Sequence, residues 1–383
     1  MARKALIILG SSETALGVVR NAYNNNLKPV VFDSVSGIAT KSAKTRVLLQ
    51  QGRTWPEVLE LLVELGQEGS NYLVATSDDW LRFIVQHRTK LDRAYKFIFH
   101  PDNDVLITCL QKQRFSMWCR EHGLSIPKFY TREELGQLLT HSDNFPILIR
   151  PTETLHDGTK HNIPKAIEVH DSRALQYWLG RYDDEQLEPF VCESLLGKDL
   201  TQYSVALARA SEKMISIVSR KIRPSSEYCE VGSYVELCRN KEVERLAQKV
   251  FELLNYYGIG EVEILHSGET GINYLIEINA RPWTQYSLSI ASGNDFLQFM
   301  LDPDTYDVSS EIKQGKYWLD FGYDLSVCFS RDKAMVRMGK VGLFDYVVSI
   351  LRANVFMSYE ISDMRPFWFS CKEKAKALFG IRT

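Results

Sequence analysis

Ile276-Glu277-Ile278-Asn279-Ala280-Arg281-Pro282 places a polar side chain at every second position of a run that otherwise reads as core. Side chains of an extended strand alternate between two faces, so Glu277, Asn279 and Arg281 are expected to converge on one of them. Upstream, Glu261–His266 and Tyr274–Asn279 read as two strands joined by Ser267-Gly268-Glu269-Thr270-Gly271, the composition of a hairpin turn. Antiparallel pairing across Gly268 brings the Glu263 carboxylate to the face that carries Glu277. Two carboxylates and an amide oxygen form a hard-oxygen set suited to Mg2+ carrying nucleotide phosphates. Taken alone, Glu277 fits an ordinary charged strand face. Its apolar neighbours favour the metal reading, because burying a carboxylate without a partner is costly.

Working outward, Lys241–Tyr257 is predicted to be an amphipathic helix, with Val243, Leu246, Val250, Leu253 and Leu254 on one face and a stop at Gly258. Phe145–Arg150, Glu188–Glu193, Ser204–Arg209 and Met214–Val218 read as strands of a β-rich region around a loop, Thr152–Lys165. A helix carrying Gln111-Lys112-Gln113-Arg114 opens this block at Val105, is stopped by Gly123 and leads through Ile126-Pro127 into a strand. Before it, Ala5–Leu9, Pro29–Phe32, Asn71–Ala75 and Lys96–His100 alternate with amphipathic stretches, the pattern of a parallel sheet flanked by helices. The expected fold class is therefore α/β (α+β). Residues 1–104 form a parallel-sheet domain, 105–300 a second domain with a lid subdomain at about 115–195, and 301–383 a C-terminal extension packing on the core. That extension closes in a basic helix around Lys372–Leu378, and its aromatic residues Trp318, Phe321, Tyr323 and Phe367 could line a pocket, packing being the simpler role.

The chain has 383 residues and a formal net charge of −2, with no long block of one sign, which excludes a general nucleic-acid binder and points to a small-molecule substrate. Seven cysteines, odd in number and without a CxxC pair, predict reduced and mostly buried thiols. Ala5-Leu6-Ile7-Ile8-Leu9-Gly10 reads as a strand, not a leader. No segment approaches the roughly 20 apolar residues that span a bilayer, so a cytoplasmic protein is expected. Gly10-Ser11-Ser12-Glu13-Thr14-Ala15-Leu16-Gly17 is a strand-to-helix turn without GxGxxG spacing, although Asp33 ends the next strand where a ribose-binding acid would sit. A nucleotide-dependent oxidoreductase is accordingly the weaker reading.

An acid on one strand followed by a hairpin into E-x-N-x-R resembles the C-terminal signature of the ATP-grasp superfamily, matched by Glu263, Glu277, Asn279 and Arg281. Earlier parts follow in the right order. Lys112 resembles the family's first nucleotide-phosphate lysine. Arg150-Pro151 stands where the family usually writes Lys-Pro, a departure that keeps the positive charge and can fork onto phosphate oxygens. Cys192-Glu193-Ser194-Leu195 resembles the hinge strand whose main chain holds adenine, with Glu193 and Leu195 matching. Asp199 and Gln202 both fall where a ribose-binding residue is expected, the acid being the simpler choice. Arg220-Lys221-Ile222-Arg223, placed after the strand Met214–Val218, resembles a basic cluster near the phosphates, with a charged surface loop as the alternative. Lys160 or Lys165, in the loop, would reach a phosphate. The resemblance covers roughly Val105 to Phe299 and is closest to the carbamoyl-phosphate-synthase-like group that includes D-aspartate ligase; residues 1–104 look like the domain that precedes the ATP-grasp module.

What this resemblance implies is an ADP-forming ligase that activates a carboxylate as an acyl phosphate and joins it to an amine, an amino acid being a fitting substrate. ATP and Mg2+ are the implied cofactors, as two ions replaceable by Mn2+. Glu263, Glu277 and Asn279 would hold the metal; Arg281, Lys221 and Arg223 would act in catalysis; Lys112, Arg150, Lys165, Glu193, Leu195, Asp199 and Gln202 would bind the nucleotide. A homodimer is compatible with this reading. The alternative is an ATP-binding module of the same fold that senses nucleotide without turnover.

Overall fold

In the computed structural model, which describes residues 4–67, 71–139, 145–153, 162–196, 198–224, 231–308, 312–329 and 341–378, the first apolar runs form a five-stranded parallel sheet. Its strands are β1 (Ala5–Leu9), β2 (Lys28–Asp33), β3 (Arg46–Leu49), β4 (Tyr72–Ala75) and β5 (Phe97–Ile98), in the order β3-β2-β1-β4-β5. The four strands expected from sequence are present. β3 is the addition, a short and only partly buried edge strand whose Arg-Val-Leu-Leu gives no alternation to read. Helices α1 (Glu13–Asn24), α2 (Trp55–Gln67) and α3 (Asp78–Ala94) cover both faces. Ile7 and Leu9 enter one core with Leu59, Leu62 and Leu81, while Leu6 and Ile8 enter another with Leu16 and Val19. Burial on both sides explains the unbroken apolar writing of β1.

Two helices, α4 (Asn103–Leu110) and α5 (Lys112–Glu121), stand where one helix was expected. Gln111 between them takes extended backbone and makes Lys112 the first residue of α5. A four-stranded sheet, β6 (Phe129–Tyr130), β7 (Ile147–Pro151), β8 (Ile167–Val169) and β9 (Pro189–Glu193), follows in the order β6-β9-β7-β8. With α6 (Arg132–Leu138) and α7 (Ser172–Asp184) it encloses a separate small core of Ile147, Ile149, Val169, Leu175 and Val191. This unit has a core of its own, within the stretch where the sequence led us to expect a lid.

The third sheet positions the site. It consists of β10 (Leu200–Ala210), β11 (Lys213–Pro224), β12 (Gly232–Cys238), β13 (Gly258–Ser267), β14 (Asn273–Asn279), β15 (Tyr317–Leu319) and β16 (Val355–Phe356), ordered β14-β13-β10-β11-β12-β15-β16. β11 runs well past Val218, so Arg220 to Arg223 belong to a strand and not to a loop after it. The remaining helices are α8 (Lys241–Leu253), α9 (Ser287–Ser292), α10 (Phe296–Leu301), α11 (Phe321–Phe329), α12 (Leu343–Arg352) and α13 (Arg365–Leu378). α8 is capped by the Asn240 side chain and buries Val243, Ala247, Val250 and Phe251 along one stripe. It ends at Leu253, before the expected stop: Asn255 turns left-handed, and Gly258 opens β13 at φ 114° with the Phe99 carbonyl 2.6 Å from where a Cβ would lie.

The C-terminal extension adds β15 and β16 to the central sheet and also reaches back to the parallel-sheet domain. Arg20 of α1, buried, pairs with Asp363 (Nε to Oδ2, 3.2 Å) and donates to the carbonyls of Met357, Ser358 and Asp363 at 3.2, 2.8 and 3.1 Å. Lys44 pairs with Glu360 beside it. The described cysteines are free thiols, and Cys109, Cys119, Cys192 and Cys328 are buried, as expected; Cys229 lies outside the described residues.

Candidate active site

Strands β13 and β14 pair in a register that sets Glu263 opposite Glu277 and Glu261 opposite Asn279. The hairpin read from sequence is present, but Arg281 is not on the strand. β14 ends at Asn279, and Arg281 sits in the bend that follows. Its guanidinium reaches the same place by other contacts, donating from Nε to Asp78 Oδ1 at 2.7 Å and from Nη2 to Asn279 Oδ1 at 3.3 Å. Asp78 begins α3, so the parallel-sheet domain fixes the direction in which Arg281 points.

A cleft of 470 Å³ opens between this hairpin and the lid sheet. Lys112 from the start of α5, Arg150 from β7, Glu193 and Leu195 at the end of β9, Gln202 from β10 and Lys221 from β11 all line it, with Lys165, Glu263, Glu277, Asn279 and Arg281. Two residues expected there are elsewhere. Asp199 is exposed beside the hairpin turn, its main-chain carbonyl accepting from Gly268 N at 3.0 Å, because the alternation that sends Leu200 and Gln202 into the cleft leaves it out of phase. Arg223 is buried against the extension: Nε and Nη2 each donate to Asp324 at 2.7 Å, Nη1 donates to Ser349 Oγ at 2.8 Å, and the guanidinium lies over the Tyr234 ring at 4.2 Å. A bulge at Ile222 breaks the alternation of β11 and sends Arg223 there. Lys160 lies outside the described residues.

Inside the cleft, acids and bases interlock. Glu263 accepts from Gln202 Nε2 at 2.8 Å and faces Lys221 Nζ at 3.1 Å; Arg150 approaches Glu277 at 3.6 Å. Burial works against the charge of Lys221, but Glu263 and Glu261 outweigh it and raise its pKa. Burial pushes the Lys112 pKa down, only partly offset by Glu277. Sequence reasoning missed Glu261, which lines the cleft, is buried, and accepts from Asn279 Nδ2 at 2.9 Å. Burial, with Glu263 nearby, lifts its pKa to about 7. The signal was present: Glu261-Val262-Glu263 repeats the period-two spacing of Glu277 and Asn279. Trp283 and Gln285 are further lining residues without a sequence signal, and of the aromatic set in the extension Tyr323 lines the cleft while Trp318, Phe321 and Phe367 do not.

Among the described residues no group of three or more His, Cys, Asp or Glu forms a metal cage by itself. Glu263, Glu277 and Asn279 nonetheless fit a cation of another kind. Mg2+ bound together with phosphates needs only one or two carboxylates from the protein, and the set is all oxygen. The Glu261 Oε1 atom beside it is buried without a hydrogen-bond partner, so the site holds more negative oxygen than its own donors satisfy. A larger cavity of 780 Å³ lies against another face of α5, lined by Gln113, Met117, Trp118 and Glu188; the opposed carboxylates are not part of it.

No family model and no curated protein matches the sequence. Solved structures match the fold. N5-carboxyaminoimidazole synthetase from Staphylococcus aureus, complexed with ADP, superposes with a TM-score of 0.66 at 14% identity, over 85% of each chain. The L-amino acid ligase from Bacillus licheniformis gives 0.62 at 15% identity, over 83% of this chain and 79% of that one. Biotin carboxylase from Campylobacter jejuni, in a β,γ-ATP complex, gives 0.62 at 13% identity over 82% and 74%. The chain has the ATP-grasp fold, with a parallel-sheet domain in front of it.

Proposed function

We propose that this chain is an ATP-dependent, ADP-forming ligase that activates a small-molecule carboxylate as an acyl phosphate and joins it to an amine in the cytoplasm. The observation that carries this reading is the opposition of Glu263 and Glu277 across one hairpin, ringed by Lys112, Arg150, Lys221 and Arg281 in a single cleft. In this reading the main chain near Glu193 and Leu195 receives adenine, and Gln202 is the ribose-side residue in place of Asp199. Lys112, Arg150 and Lys165 bind phosphate oxygens; arginine at 150 does so as a fork. Glu263, Glu277 and Asn279 hold the divalent cation, which when bound neutralises charge on the β- and γ-phosphates.

A carboxylate oxygen then attacks the γ-phosphorus, the bond to ADP breaks, and an acyl phosphate forms. The amine attacks the acyl carbon, phosphate leaves, and the amine gives up a proton. Arg281, oriented by Asp78, holds the negative charge that grows in these steps. The lid excludes water, which would hydrolyse the intermediate.

The test is a screen of amino acids and other carboxylates with ATP, Mg2+ and hydroxylamine. The expected result is a hydroxamate, with ADP and orthophosphate released one for one and no pyrophosphate. Pyrophosphate, or substrate-dependent ADP release that never yields a hydroxamate, overturns the acyl-phosphate route. Nucleotide binding without ADP release under every substrate identifies a sensor instead.

A further inference from the structure

Glu153, just past the end of β7 and close behind Arg150, ties three elements together beside the cleft. Its Oε2 accepts from Arg82 Nε on α3 at 3.2 Å, and its Oε1 accepts from Gln111 Nε2 at 2.9 Å. Gln111 directly precedes Lys112, whose main-chain N–H donates to the Thr152 carbonyl at 3.1 Å. One side-chain bond and one main-chain bond therefore stitch the end of β7 to the start of α5. The Arg82 pair fastens both to the parallel-sheet domain. Arg82 is itself aimed by Asp79, one turn earlier on α3, whose Oδ1 accepts from Nη1 at 2.9 Å.

The first turns of α3 thus contact both walls of the cleft. Asp78 holds Arg281 beyond β14, and Arg82 holds the end of β7. Lys112 and Arg150, the cations on the β7 side, face Glu263 and Glu277 across the cleft. Burial lowers the Lys112 pKa, and after Glu277 the charges of Arg150, Asp78 and Arg82 also bear on its ammonium. The core under β7 shares no residue with the two cores under the other sheets, so packing inside that unit does not set its distance from β14. Bonds across the seam must set it. Cations that grip a polyphosphate from two walls need that distance held to within about 0.5 Å, which a charge-assisted clasp supplies.

We propose that Arg82 and Glu153 are positioning residues that hold Lys112 and Arg150 at phosphate-binding distance from the central sheet; this rests on the ligase reading, which supplies the nucleotide. The competing account is an ordinary surface ion pair, since the two side chains are 14 and 43% exposed. A clasp of this kind can change affinity by no more than its own strength, about three- to tenfold. The experiment is calorimetric titration of the full chain with Mg2+-ADP, with adenosine, which lacks phosphates, as a competitor. Arg82→Met and Glu153→Ala should each weaken Mg2+-ADP about three- to tenfold and leave the adenosine constant unchanged. The double variant should bind within about twofold of the weaker single one, and Arg82→Lys, which keeps the charge, should lose less than Arg82→Met. Unchanged ADP affinity in both single variants, equal losses for ADP and adenosine, or additive losses in the double variant overturn the proposal and leave the ligase reading standing. No binding of Mg2+-ADP by the unaltered chain overturns that reading, and the proposal with it.

Discussion

Strands β11 and β14 each carry functional-looking polar residues two positions apart, and each contains a bulge, yet only β14 delivers both residues to the same place. In β14 the irregularity falls at Ile276, before Glu277, so Glu277 and Asn279 lie together on the regular stretch opposite Glu263 and Glu261. In β11 it falls at Ile222, between the two cations, and separates them. Lys221 enters the cleft and pairs with Glu263, while Arg223 enters the extension and pairs with Asp324. Where an extra residue sits relative to a polar pair decides whether spacing in sequence becomes proximity in space.

Glu277→Gln should break the β14 half of this comparison most severely. The amide matches the carboxylate in size but removes one negative ligand, so substrate-dependent ADP release should fall by at least about a hundredfold while the melting temperature stays nearly unchanged. A near wild-type rate at saturating Mg2+ would remove Glu277 from the site.

The two cations of β11 should then separate by assay. Arg223→Ala leaves Asp324 buried without its partner and should cost about 3–5 kcal/mol of stability in urea unfolding. Lys221→Met should lower kcat/KM by about tenfold or more with a smaller stability loss, since Glu263 keeps Gln202 as donor. If Arg223→Ala proves as stable as wild type but inactive, the pair with Asp324 has been misread as structural. A double-mutant cycle with Asp324→Ala measures the coupling directly.

Arg150 tests the cationic rim with a smaller effect. Arg150→Lys should retain most activity, whereas Arg150→Ala should raise the KM for ATP by about tenfold. Equal and negligible changes in steady-state kinetics would make Arg150 a strand-end residue only.

The mildest prediction concerns the seam behind β14. His100 accepts from Ala75 N through Nε2 at 2.7 Å, and its Nδ1 lies 3.0 Å from the Ala280 carbonyl, so one neutral ring joins two domains. Burial holds its pKa down at about 3, far below the ordinary value. From about pH 6.5 to 3 the unfolded chain binds a proton that the native ring refuses, so this contribution is complete above that window and is lost as the pH falls through it. His100→Phe should flatten that part of the urea-midpoint profile, at a cost of about 1–3 kcal/mol at pH 7 for the unpaired main-chain groups.

The hairpin was legible because alternation and a glycine turn are local signals, and both survived folding. Arg281 was located for the wrong reason: the period-two rule placed it on a strand that had already ended, and Asp78, far away in sequence, supplies the orientation. Asp199 misled because nearness in sequence to Gln202 says nothing about phase on β10. Strand β12 was illegible, since only its neighbours β11 and β15 give its side chains an environment. The ion pairs that tie the extension to the rest of the chain, Arg223–Asp324, Lys44–Glu360 and Arg20–Asp363, join residues 101, 316 and 343 positions apart, which no local pattern encodes.

That distance has a consequence for how the protein is made. Arg20 and Asp363 are separated by 343 positions, and β15 and β16, the last strands of the central sheet, come from the extension. During synthesis the free edge of β12 must wait, uncovered, until β15 has left the ribosome, and the α1 guanidinium until Asp363 has. An open strand edge is a template for wrong pairing. Loss of the segment from Tyr317 onward, which carries β15 and β16, should therefore send this protein into aggregates during translation, long before any effect on its chemistry could be seen.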